Sequence, residues 1–92
     1  MRQNMKAYIK DIAYYLPQTV LSNNDLTQLF PEWSVEKIAS KVGISCRHIA
    51  DINETVTDMA IAAANNLFEQ GIAKPREIDF IILCTQSPEY AL

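Results

Sequence analysis

The run Phe80-Ile81-Ile82-Leu83-Cys84 constrains the fold of this chain more than any other segment. Five apolar residues follow one another with no polar alternation. A strand with one wet face alternates apolar and polar side chains. A run without alternation fits a strand buried on both faces, as in a parallel sheet covered by helices. A helical pattern over residues 55–70 precedes it. There Val56, Met59, Ala60, Ala63, Ala64, Leu67 and Phe68 form a broad apolar stripe. Ala60, Ala62, Ala63 and Ala64 are small enough to admit a close neighbour, so this helix is expected in a packed interior layer. Thr55 with Asp58 resembles a capping box with Asp in place of Glu, and Gly71 followed by Ile72 reads as the helix stop. Lys74-Pro75-Arg76-Glu77 is the connecting loop. Helix, short loop and buried strand over residues 78–85 form the second half of a βαβ crossover, so the expected class is α/β.

The first half of the chain supplies more elements. Residues 7–15 carry Tyr8, Ile9, Ile12, Tyr14 and Tyr15, types that fit a pleated surface, and are predicted as a strand ended by Leu16-Pro17. Ser22-Asn23-Asn24-Asp25 is a cluster of N-cap residues and predicts a short helix to Phe30, stopped by Pro31. Ser34 caps a second helix, in which Val35, Ile38, Ala39 and Val42 share one face before Gly43 takes the left-handed position. Residues 44–52 read as extended, with no face fixed by their weak alternation.

Charge and cysteine content exclude several functions. The net charge is −3, with no cluster of Lys and Arg of the kind that nucleic acid requires. No apolar run approaches the roughly 18 residues of a membrane span, and the N-terminus lacks the apolar core of a signal peptide. The chain is therefore expected to be cytoplasmic, with neither nucleic acid nor membrane as a partner. Cys46 and Cys84 form no C-x-x-C pair, and the single His48 has no partner at zinc spacing, so free thiols and no metal site are expected. Cys84, inside the apolar run, reads as a core thiol; Cys46, beside Arg47 and His48, reads as a solvated one. His48 reads as a structural histidine bonded to backbone, and Arg47 as an ion-pairing or backbone-binding residue.

Several short motifs occur in a fixed order: Tyr15-Leu16-Pro17, Asn24-Asp25-Leu26, Glu32-Trp33, Gly43-Ile44, Arg47-His48-Ile49-Ala50, Glu54-Thr55, and Ile78-Asp79 through Ser87-Pro88. In that order the chain from Lys6 onward resembles the 3-oxoacyl-[acyl-carrier-protein] synthase III family, also called β-ketoacyl-ACP synthase III. The resemblance implies the N-terminal portion of a thiolase-like fold, an incomplete mixed sheet with covering helices. Residues 1–92 would be a fragment of the first thiolase-like domain. It also implies a reaction in which a cysteine takes an acyl group from acyl-CoA, and a His–Asn pair assists decarboxylative attack by malonyl-ACP. Those three residues would lie beyond Leu92, so no catalytic residue is assigned and the chain alone is expected to be inactive.

The resemblance also implies site residues. In the family a Trp and an Arg sandwich the adenine of CoA, a task suited to flat indole and guanidinium groups. Here Trp33 matches the Trp, while Lys41 stands two before Gly43 where Arg is usual, and Val42 stands where Thr is usual. The spacing from Trp33 to Gly43 is longer than the family's. CoA binding is thus expected at Trp33 and Lys41, with the thioester as substrate and no bound cofactor. Leu92 matches the position that enters the partner's acyl pocket in a homodimer, and is the expected determinant of acyl length. A paralogue of polyketide or hydroxymethylglutaryl-CoA-synthase type, or a non-catalytic interaction module complete at 92 residues, remains an alternative. The isolated chain is expected to be poorly stable or self-associated, because its apolar strand requires cover and paired edges.

Overall fold

The computed structural model describes residues 5–87. The chain divides into two units: Leu16–Thr55, and the residues up to Tyr15 together with those from Val56 onward.

In the Leu16–Thr55 unit, strand β1 (Thr19–Ser22) leads directly into helix α1 (Asn23–Leu29). Helix α2 (Val35–Val42) and strand β2 (Cys46–Ile49) follow. The strands pair antiparallel, Thr19 opposite Ile49 and Ser22 opposite Cys46. Ser22 belongs to both β1 and α1. Its Oγ accepts the Asp25 N–H (3.1 Å), and Asp25 Oδ2 accepts the Ser22 N–H (3.1 Å), which completes a capping box. The Ser22 backbone N–H, and after it the Ser22 hydroxyl, hold the Asp25 carboxyl below its ordinary range. Ser34 Oγ caps α2 by accepting the Lys37 N–H (3.1 Å). Gly43, at φ 74°, ends α2 in the left-handed conformation that lacks a Cβ penalty in glycine. Ile38 is the buried anchor of this unit at 3% exposure.

In the other unit, helix α3 (Val56–Glu69) carries the alanine-rich stripe, and Gly71 follows at φ 81°. The stripe is half-buried: α3 contains no fully buried residue. Residues 74–77, expected as a loop, include a short 3-10 turn at Pro75–Glu77. The extended residues 11–14 lie along α3 through side-chain amides. Asn66 donates to the Tyr14 carbonyl (3.0 Å), and Gln70 donates to both Asp11 carboxylate oxygens (2.8 and 2.7 Å) and to the Ile12 carbonyl (3.3 Å). Asn66 and Gln70 are four residues apart and so share a helix face.

Two strand expectations are corrected. Residues 7–15 and 78–85 are without regular secondary structure. The physical reason is that a strand exists only through a ladder with a neighbour, and no described segment supplies one. Phe80 and Ile82 are consequently exposed, at 81% and 83%. Cys84, expected in a core, is exposed for the same reason, whereas Cys46 is exposed as expected. β1 was not anticipated: it is four residues long and ends in the helix cap itself.

Candidate functional site

The candidate site is an apolar pocket between α1 and α2, built by the turn that joins them. Phe30 closes α1 through its N–H to the Leu26 carbonyl (2.9 Å), and the Trp33 N–H then donates to the Phe30 carbonyl (3.0 Å). This turn places Trp33 immediately before the Ser34 cap. With Ser34 as N-cap, Trp33 is N′ and Ile38 is N4, the pair of positions that forms a hydrophobic staple. Leu26, Phe30, Trp33, Ile38 and Val42 line a cavity of about 270 Å³. That is slightly below the usual range for a small-molecule site, and is of a size to take a ring rather than a whole nucleotide. Trp33 is 36% exposed, so its indole is half platform and half wall.

The cation at the indole is Lys37, whose Nζ lies 4.8 Å from the ring centroid. This is within cation–π range. Lys41 follows one turn later in the last turn of α2, where a positive charge is favoured by the helix dipole. Both lysines are on one side of α2. Sequence reasoning singled out Lys41 from its place before Gly43 and did not consider Lys37. The available signal was the position of Lys37, three residues after the Ser34 cap and four after Trp33.

A polar hub joins the start of α1 to residues 44–47. Asn23 is buried at 5% exposure, and its backbone N–H and both side-chain polar atoms have partners. Its backbone N–H donates to the Ser45 carbonyl (3.0 Å), its Nδ2 to the Ile44 carbonyl (2.7 Å), and its Oδ1 accepts from Arg47 (2.6 Å). Arg47 also donates to the Leu21 carbonyl (3.3 Å). Arg47 thus binds backbone, as expected. His48 donates from Nδ1 to the Pro17 carbonyl (2.6 Å). A carbonyl accepts only, so the proton is on Nδ1, and His48 is the structural histidine that the sequence suggested. In the sequence Asn23 is one of several cap-type residues, and its role towards residues 44–47 has no local signal.

Leu92 lies outside the described residues. Among the described residues no group of three or more His, Cys, Asp or Glu is gathered as for a metal ion, and no helix is long and apolar enough to cross a membrane.

The arrangement defines an α/β unit of thiolase-like class. A crystal structure of a 3-oxoacyl-(acyl-carrier-protein) synthase III superposes with a TM-score of 0.80 at 51% identity, over 91% of this chain and 25% of that one. Among curated relatives, the beta-ketoacyl-[acyl-carrier-protein] synthase III of Campylobacter jejuni subsp. doylei is 41% identical over 86 residues, covering 94% of this chain and 26% of its own. That of Streptococcus suis is 40% identical over all 92 residues, 27% of its own length. No protein-family model matches. By sequence and by fold, the chain is homologous to part of the beta-ketoacyl-[acyl-carrier-protein] synthase III family. It spans about a quarter of the length of the curated relatives it matches.

Proposed function

We propose that this chain is the donor-recognition part of a fatty-acid condensing acyltransferase. In this reading the parent enzyme takes an acyl group from acyl-CoA onto a cysteine and joins it to malonyl-ACP with loss of carbon dioxide. It works as a homodimer in the cytoplasm. The observation that carries the reading is the coincidence of 40% identity over the full chain with an apolar pocket formed around Trp33. An indole platform with lysines on the adjacent helix face suits a flat base that carries phosphates. The nucleophile and its His–Asn pair are read as lying outside these 92 residues, and Leu92, which lies outside the described residues, is read as the determinant of acyl length. The exposed apolar residues of the 78–85 segment fit a run that other protein covers on both faces.

The test is a chimera. The present chain replaces the matching quarter of the Campylobacter jejuni subsp. doylei relative, and condensation of acetyl-CoA with malonyl-ACP is followed by product mass. Turnover that is lost on Trp33→Ala through a raised KM for acyl-CoA is the expected result. A folded chimera that does not condense the two substrates removes the proposal.

A further inference from the structure

The Trp33 platform already has an occupant in this structure. Lys37 is at N3 of α2, the position at which a capping box has Glu or Gln. A lysine there cannot accept the cap residue's N–H, so only half of the box forms: the Ser34 Oγ accepts the Lys37 N–H, and the Lys37 side chain is left to go elsewhere. It is also at the positive end of the helix dipole, where a cation is disfavoured. Among the described residues Lys37 makes no ion pair that would offset this. Its ammonium instead lies 4.8 Å from the Trp33 centroid. Of the other lining residues, Leu26, Ile38 and Val42 are aliphatic, and the Phe30 ring is a weaker cation partner than the indole.

We infer that Lys37 is a specificity-determining residue that competes for the Trp33 ring. Its ammonium covers the indole face while the site is empty. A neutral flat ring has to displace it and stacks on the indole without recovering any interaction with the ammonium. An adenine ring that carries phosphates also displaces it, but recovers the ammonium as a counter-charge. Lys37 therefore sets the margin by which a phosphorylated adenine ligand is preferred to an unphosphorylated one. This inference rests on the reading of Trp33 as the platform for a CoA thioester.

Trp33 is the single tryptophan of the sequence, so its fluorescence reports on this site alone. The 92-residue chain and its Lys37→Met and Lys37→Arg variants are titrated with adenosine and with coenzyme A, and are quenched with acrylamide in the absence of ligand. For Lys37→Met the expected results are stronger acrylamide quenching and adenosine binding tightened about three-fold, the size of one exposed cation–π contact. Coenzyme A binding weakens, so that the preference for coenzyme A over adenosine narrows. Lys37→Arg keeps that preference, because its guanidinium keeps both the charge and the hold on the ring. An unchanged preference in Lys37→Met, with coenzyme A still bound, overturns this inference alone. No response to coenzyme A in any of the three proteins overturns the platform reading, and this inference with it.

Discussion

The two units of this chain are stabilised in different ways. Between Leu16 and Thr55 each helix end has a partner, and the polar atoms of Asn23 tie the helical segment to the strand that follows it. In the other unit, α3 carries the widest apolar stripe of the chain, and the exposed amides of Asn66 in α3 and Gln70 just after it bond the extended residues 11–14. The apolar residues 80–83 remain in solvent. The difference teaches that apolar content alone does not make a core. Ile38 is buried because two capped helices converge on it; Phe80 and Ile82 are larger or equal in size and are exposed because nothing described pairs with their backbone.

Substitutions sharpen that contrast. The largest effect is expected for Ile38→Ala, about 3 kcal/mol lost from the Leu16–Thr55 unit, in the range for emptying a buried aliphatic site. Urea unfolding followed by Trp33 fluorescence reads it. Asn23→Ala follows, at about 2 kcal/mol, because it strands the Ile44 carbonyl and the Arg47 guanidinium. Its mark is faster amide exchange in β2, with α3 unchanged; equal acceleration in both would show that the two units melt together. Ser34→Ala is expected to cost about 1 kcal/mol, as an N-cap loss, and to disturb the Trp33 pocket without disturbing β1. Phe80→Ala, although it removes a larger side chain than Ile38→Ala, is expected to change stability by less than about 0.5 kcal/mol while reducing self-association. A loss as large as that of Ile38→Ala would mean that residues 80–84 are covered in solution.

The smallest effect is one of pH. The Asp25 carboxyl has its pKa lowered below 3.8 by its bonds to Ser22. A lowered folded-state pKa stabilises the chain above the unfolded value, and that contribution is lost as pH falls through the folded value. The start of α1 is therefore expected to fray at acid pH below about 4, as seen in the amide shifts of residues 23–26. Asp25→Asn removes this dependence.

The parts legible in the sequence were those with local causes. Ser22, Ser34, Gly43 and Gly71 mark helix ends because caps act within a turn, and α1, α2 and α3 lie where those marks place them. The strands were harder. Residues 7–15 and 78–85 have the composition of strands, but pairing depends on a distant partner that composition does not name. Thr19–Ser22 is only four residues long, too short to stand out from composition, and pairs because β2 lies opposite. At the site, Trp33 was visible through family resemblance. Lys37 was missed because its meeting with the indole follows from cap geometry, not from a motif.

Asn23 and Ser45, bonded backbone to backbone at 3.0 Å, join the two ends of the helical excursion that carries the pocket. That junction makes residues 23–45 a cassette. Its ends return to adjacent rungs, so segments within it can lengthen or shorten without shifting the strand register. Residues 33–43, from the indole to the glycine that ends α2, lie wholly inside that span. A change of length inside residues 23–45 is thereby expected to reshape the apolar pocket while the pairing of β1 with β2 stays the same.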